Sequence, residues 1–247
     1  MKILQLNVWM GRIRGAVSRF IEKNDFDVIC LQEVFWSEDG AEELALFIDT
    51  LDQIKKASRL EYEVRSCLWE FRVFGDVLVK QGNVIMSRYP IVEYEDKLIY
   101  DYGKFNLDAR IGEKSLECRA QKVRLDNGLV VLNHHGYWLP EPLGDETSVE
   151  CMHKVAEMIK DEPGPVVMCG DLNVIAESPA MRELDFLHDL TAENGIKTTL
   201  ANLQFVKDVA CDHILVSDGL KWDNFTVHSD IVSDHLAVSV EIKNGGL

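Results

Sequence analysis

Eight polar residues of a restricted kind stand at the ends of short apolar runs or break them: Asn7, Glu33, His135, Asp171, Asn173, Asp212, Asp234 and His235. Acids, amides and imidazoles together can bind a hard cation and move protons. Glu33 closes the run DVICLQE, while Asp171 and Asn173 follow VVMCG two residues apart, so an extended backbone points both side chains the same way. Carboxylate and amide oxygens with retained water suit Mg²⁺ or Mn²⁺, whereas zinc would want more His or Cys. Other site chemistries fail simple tests. The chain has no G-x-x-x-x-G-K-[ST], no H-E-x-x-H, no G-x-S-x-G and no G-x-G-x-x-G.

The segments L-N-V-W (6–9), L-Q-E-V (31–34), G-N-V-I-M-S-R-Y-P-I (82–91), L-N-H-H-G (132–136), G-D-L-N (170–173), C-D-H-I-L-V-S (211–217) and S-D-H-L-A-V (233–238) follow one another over nearly the whole chain. In kind and order this set resembles the endonuclease/exonuclease/phosphatase superfamily, which has the deoxyribonuclease I-like fold. The resemblance implies a four-layer α/β sandwich, two packed mixed β-sheets flanked by helices, with a site at one rim and metal-dependent hydrolysis of a phosphoester. It makes Asn7 and Glu33 metal ligands and Asp234 a metal-side or water-side acid. Asp171 becomes the residue that orients or deprotonates the attacking water, and Asn173 one that contacts the phosphate or the nucleophile. His235 matches the catalytic imidazole, with Asp212 holding its ring. His134 and His135 face opposite ways in an extended segment, and alignment with the family's N-x-H pattern selects His135 as the phosphate contact, leaving His134 to packing. Arg119 resembles a phosphate-binding arginine, with an ordinary surface-strand arginine as the alternative. The implied mechanism is in-line attack of water with Mg²⁺ (or Mn²⁺) as cofactor; one ion or two stays open, because Asp171 and Asp234 could share a second.

Positioning such a site requires strands that end together. Apolar runs rich in Val and Ile recur at 3–9, 27–32, 83–87, 129–133, 165–169, 213–216 and 236–242, several without alternation, as expected of strands covered on both faces. Helical faces lie between them: Ile13, Val17, Phe20 and Ile21; Leu44, Phe47, Ile48 and Leu51; Val149, Met152, Val155, Ala156 and Ile159. Ser178-Pro179 reads as an N-cap and first helical residue. Asn127-Gly128 predicts a type I′ hairpin turn, so the sheet is not purely parallel. No linker or charge block divides the chain, which leads to one domain over 1–247.

With 247 residues, 47% hydrophobic and 28% charged, the sequence is neither disordered nor fibrous. Six cysteines without a C-x-x-C pair read as buried reduced thiols; with no signal peptide and no span of about 20 apolar residues, a soluble cytoplasmic protein is expected. The net charge of −16 argues against tight non-specific binding to nucleic acid or anionic membranes. Its distribution is uneven, with 19 of the 26 basic residues before residue 125. Lys104, Arg110, Lys114, Arg119, Lys122 and Arg124 could line a phosphate path or be the solvated face of a hairpin. Trp36 and Trp138 stand where an aromatic could stack on a base or cover an acyl chain. The leading expectation is a phosphodiesterase or nuclease acting on nucleic acid, single-stranded or damaged, or on a nucleotide-containing ester. The alternative is a phosphatase or phospholipase-like enzyme for a small or lipid phosphoester. A binding protein that keeps the fold without catalysis is disfavoured by the intact acid and imidazole set.

Overall fold

The computed structural model describes residues 1–39, 41–73, 77–107, 110–201 and 208–243, with backbone alone at 41, 105–107 and 110–114. The strands are β1 (Lys2–Asn7), β2 (Val28–Trp36), β3 (Tyr62–Val73), β4 (Val77–Ser87), β5 (Ile91–Leu107), β6 (Arg110–Leu125), β7 (Val130–His135), β8 (Val166–Asp171), β9 (Leu187–Asp189), β10 (Asp212–Ser217), β11 (Trp222–Val227) and β12 (Val238–Ile242). The helices are α1 (Ala16–Asn24), α2 (Ala41–Ala45), α3 (Leu51–Ser58), α4 (Glu146–Ala156) and α5 (Leu190–Glu193), with 3₁₀ turns at Trp9–Gly11 and Pro179–Leu184.

Two mixed six-stranded sheets result. One runs β11-β12-β1-β2-β4-β3 and the other β9-β10-β8-β7-β6-β5, and Phe71 opposite Gly112 ties β3 to β6 at their edges. In each sheet a parallel pair, β1 with β2 and β7 with β8, sits between antiparallel neighbours. The two sheets therefore share a pattern.

Side-chain parity explains the layers. Along β1, β2, β7, β8 and β10, alternate residues face the partner sheet, and the apolar ones among them, Ile3, Val28, Cys30, Val131, Val167, Cys169 and Ile214, form the inter-sheet core. Their neighbours Leu4, Ile29 and Leu31 pack outward on α1 and α3. Leu132, Met168 and Leu215 pack outward on the α4 side. Four layers follow, as the resemblance implied. Among the described residues no helix is long and apolar enough to cross a membrane.

Two local expectations are corrected. The stretch Leu44–Leu51 is not one helical face. Helix α2 stops at Ala45, Phe47 is exposed, and α3 begins anew at Leu51, where the Gln53 side chain accepts the Thr50 N–H at 2.9 Å. Asp49, just before it, accepts the backbone N–H groups of Gly15 and Ser18, so the chain is committed to capping α1 there. At the β6–β7 hairpin only Gly128 has a positive φ, 90°, and its N–H donates to the Leu125 carbonyl at 2.9 Å. The turn is thus a three-residue loop with Gly128 in the left-handed position, not type I′. Ser178 does cap a short 3₁₀ helix, accepting the Ala180 N–H.

Candidate active site

The parity that builds the core also builds the site. Counting on from Ile3, Val131, Cys169 and Ile214 in steps of two places Asn7, His135, Asp171 and Asp212 between the sheets, at strand ends that share one rim. Asp212 lies directly opposite Asp171 across the antiparallel β8–β10 pair, and His135 pairs with Asp171 across the parallel β7–β8 pair. His235 comes from the turn just before β12, where it bridges to Leu200.

Asp171 is the hub. Its Oδ2 accepts the Asn7 Nδ2–H at 3.0 Å and faces the Nε2 atoms of His135 and His235 at 3.5 and 3.6 Å. Its Oδ1 accepts the Asn173 N–H at 3.1 Å. Burial works against its charge, but His235, His135 and the Asn7 and Asn173 donors outweigh it and hold the carboxyl below its ordinary value. His235 is the counterpart. Burial opposes its protonation, yet Asp212, bonded to Nδ1 at 2.8 Å, and Asp171 at Nε2 raise it well above the usual imidazole value. The two shifts favour an anionic Asp171 facing a protonated His235 whose ring orientation Asp212 fixes.

The remaining residues join this pair. Asn7 Nδ2 also donates to Glu33 Oε1 at 3.1 Å, and Asn173 Nδ2 donates to the Gly136 carbonyl at 3.1 Å. Glu33 and Asn173 both have φ of 56°. Asn173 is stabilised there by its bond to Asp171, an Asx turn. Glu33 sits where the β2–β4 register slips between Leu31 and Val34, a bulge that re-aims its side chain. Gly136 has no room for a side chain: a Cβ would come within 2.1 Å of the Leu172 carbonyl oxygen. Asp234 is half-buried. Burial raises its carboxyl, and the Glu33 charge adds to that against the opposing pull of His235.

Arg119 stands differently. Its guanidinium is held by Asp96 at 3.0 Å and Glu117 at 2.7 Å, beside a separate cavity of ≈ 290 Å³. His134, by the parity rule, faces the α4 layer. It is fully buried, donates to the Arg119 carbonyl, and burial pushes its pKa down to about 4, so it is a neutral packing residue. Trp36 is buried in the outer core and not available for stacking, whereas Trp138 is 61% exposed beside the site. Asp171, Cys211 and His235 each bring one potential donor atom within 4.8 Å of the others. Burial together with the charges of Asp171 and Asp212 keeps the Cys211 thiol protonated, which makes it a poor ligand.

Sequence reasoning misses the support beneath the dyad. Asp212 accepts from Thr199 Oγ1 at 2.7 Å and from Gln5 Nε2 at 3.1 Å. Gln5 pairs with Gln32, whose amide reaches Asn133 at 2.7 Å, so fully buried amides span both sheets under the site. A signal for these exists in the chain: Gln5, Gln32 and Asn133 interrupt apolar runs at inward-facing positions. Thr199 carries no such mark.

His213, in the segment C-D-H-I-L-V-S, has a structural part. It is fully buried and bonds Asp189 at 2.8 Å through Nδ1 and the Val174 carbonyl at 3.0 Å through Nε2. A carbonyl can only accept, so with both nitrogens engaged the ring is cationic; Asp189 raises its pKa against burial. This ion pair anchors the loop carrying Asn173. His213→Ala is expected to cost about 3 kcal/mol, because it empties a fully buried position and leaves the part-buried Asp189 carboxylate and the Val174 carbonyl without their partner. Since the folded pKa is raised above 6.5, the contribution is complete below pH 6.5 and is lost as pH rises through the folded value. Urea unfolding at pH 6 and pH 9 should show the gap between variant and wild type narrowing; a pH-independent gap contradicts a charged His213.

Residues 4–235 match the profile of the "Endonuclease/Exonuclease/phosphatase family". No curated protein matches the chain in sequence. Similar solved structures include an endonuclease/exonuclease/phosphatase from Beutenbergia cavernae, 19% identical, with TM-score 0.70 over 99% of this chain and 72% of that one. A mannosyl-6-phosphatase from Bacteroides thetaiotaomicron is 16% identical, with TM-score 0.70 over 99% of this chain and 100% of that one. A truncated TDP2 from Caenorhabditis elegans is 18% identical, with TM-score 0.60 over 98% and 97%.

Proposed function

The chain belongs to the endonuclease/exonuclease/phosphatase family, whose members are phosphoester hydrolases, and from that premise we propose that it hydrolyses a small phosphoester by in-line attack of water, with a divalent cation. The observation that carries this reading is the convergence of Asp171 on His235 Nε2 at 3.6 Å, with Asp212 bonded to the other ring nitrogen at 2.8 Å, at the common rim of two sheets.

The donor set fits a hard cation. Glu33 and Asp234 converge closely enough for the charge of one to raise the pKa of the other, and Asn7 Oδ1, which accepts the Trp9 N–H, has a second lone pair. Asn7, Glu33 and Asp234 would hold the ion, Mg²⁺ or Mn²⁺ by the hardness of these oxygens. When bound, it supplies positive charge against the phosphate and the charge developing in the transition state. Asp171 takes a proton from the attacking water. His235 donates its Nε2 proton to the departing oxygen, with Asp212 fixing the ring. His135 and Asn173, at the same rim, orient the phosphoryl oxygens.

A small substrate is favoured over nucleic acid because half of the basic stretch, its Arg119–Arg124 end, is spent internally, while Lys104 is exposed. Arg119 is taken by Asp96 and Glu117, Lys122 by Glu95 and Glu162, and Arg124 by Glu93 and Glu162. The side chains of Arg110 and Lys114 lie outside the described residues. The proposed phosphate contact of Arg119 would require it to leave two carboxylates, so His135 and Asn173 are the stronger candidates.

Hydrolysis of a generic phosphomonoester or phosphodiester in Mg²⁺, abolished by EDTA, is the expected result; activity that survives both EDTA and His235→Ala overturns the reading. Glu33→Gln should raise the Mg²⁺ concentration for half-maximal activity by at least about tenfold. It should also abolish the Mg²⁺-induced rise in Tm while leaving the metal-free Tm near wild type. A variant unfolded without metal would instead mark Glu33 as structural.

A further inference from the structure

Beside His235 lies a cavity of ≈ 210 Å³ whose walls differ in character from the rim. Asn173, Asp234 and His235 form its polar floor, and Trp138, Leu139, Pro140, Pro142, Leu200 and Val209 are among its apolar walls. No lysine or arginine lines it among the described residues. His235 lines it directly, and Asp171 stands behind that imidazole at 3.6 Å from Nε2.

Trp138 is exposed, but the backbone that carries it is fixed. Its N–H donates to the Tyr102 hydroxyl at 2.9 Å. Tyr102 stacks on the neighbouring Tyr137 at 5.3 Å with 3° between planes, and Tyr100 meets both rings edge-on. A large indole left in solvent on an anchored loop beside a catalytic imidazole is suited to meet a ligand face.

We propose that this cavity is the leaving-group site, and that it selects phosphoesters of a single uncharged cyclic alcohol, a sugar ring or an aryl group, which lies against the Trp138 indole with its ester oxygen at His235 Nε2. The assignment rests on the hydrolase reading above. Size and charge support it. The volume is below the roughly 300–1,000 Å³ of sites for drug-sized ligands, so it suits one ring, not a nucleotide strand or a long acyl chain. Beyond His235 and a cation held at Asp234, a polyphosphorylated group would meet no lysine or arginine among the described lining residues. Pro140 and Pro142 restrict the wall, lowering the entropy cost of holding a ring against it.

The test compares kcat/KM, in Mg²⁺, for glucose 6-phosphate, phenyl phosphate, glycerol 3-phosphate, an inositol polyphosphate and a short single-stranded oligonucleotide. At least one cyclic monoester should exceed glycerol 3-phosphate by about tenfold or more, and the two cyclic arms separate sugar from aryl recognition. Trp138→Ala should lower the cyclic-to-acyclic ratio by about tenfold, the size of an aromatic stacking contact, and Trp138→Phe should restore most of it. Faster turnover of the oligonucleotide or the inositol polyphosphate overturns the inference, as does a ratio that Trp138→Ala leaves unchanged, with hydrolase activity standing in either case. Absence of hydrolysis of every ester overturns the hydrolase reading and the inference with it.

Discussion

Asp171→Asn is expected to reduce kcat by about 10³–10⁴-fold in a variant that still folds, with some loss of stability because the lowered Asp171 pKa means its charge stabilises the native state. The substitution keeps size and shape at a fully enclosed position, so the fold should persist. It removes the proton acceptor for water. It also places an amide where an anion faced the Nε2 atoms of His135 and His235, at 3.5 and 3.6 Å. One of the charges that raise the His235 pKa is thereby lost, and the fraction of enzyme with a protonated imidazole falls. Both effects act on the chemical step, so KM should move far less than kcat. Pre-steady-state or steady-state kinetics, with unfolding curves as control, would measure this; a loss below tenfold in a folded variant would remove Asp171 from proton transfer.

His235→Ala should lower kcat by about 10²–10⁴-fold, and the loss should depend on the leaving group. An alkoxide leaves poorly without a proton, whereas a nitrophenolate needs little help. The defect should therefore be large for an alkyl phosphate and small for 4-nitrophenyl phosphate. Asp212→Asn should show the same leaving-group dependence more weakly, because Thr199 and Gln5 still hold residue 212 in place while the charge on the imidazole is no longer supported. Equal losses on both esters would place His235 on a non-bridging phosphate oxygen instead.

Much of this architecture is legible in the amino-acid sequence. The seven apolar runs are the strands β1, β2, β4, β7, β8, β10 and β12, and the polar residues that end them are those found at the rim. Strands β3, β5, β9 and β11 carry no such run. β5 in particular alternates charged with apolar residues at one edge of its sheet, where its exposed face has no partner layer to demand an apolar run. His134 and His135 are separable by parity, since His135 falls in step with Val131 and His134 with Leu132. The basic charge of the 104–124 stretch misleads for a physical reason. The acids that neutralise much of it, Glu93, Glu95, Asp96 and Glu162, lie outside that stretch and reach it through pairing with β5 and the approach of the segment after α4.

The sequence by itself determined which residue types terminate which strands, because strand periodicity and burial act within a few residues. It could also identify the family, because motif order is a linear property. Only the tertiary structure decided what those residues do to one another. Gln5 meets Asp212 across 207 positions, and Asn7 meets Asp171 across 164. The bulge that turns Glu33 inward arises from a register shift against β4, and the raised pKa of His235 from two carboxylates on neighbouring strands. Such couplings are set by which strands pair and how two sheets stack, and electrostatic energies at 3–4 Å follow from that stacking and not from distance along the chain.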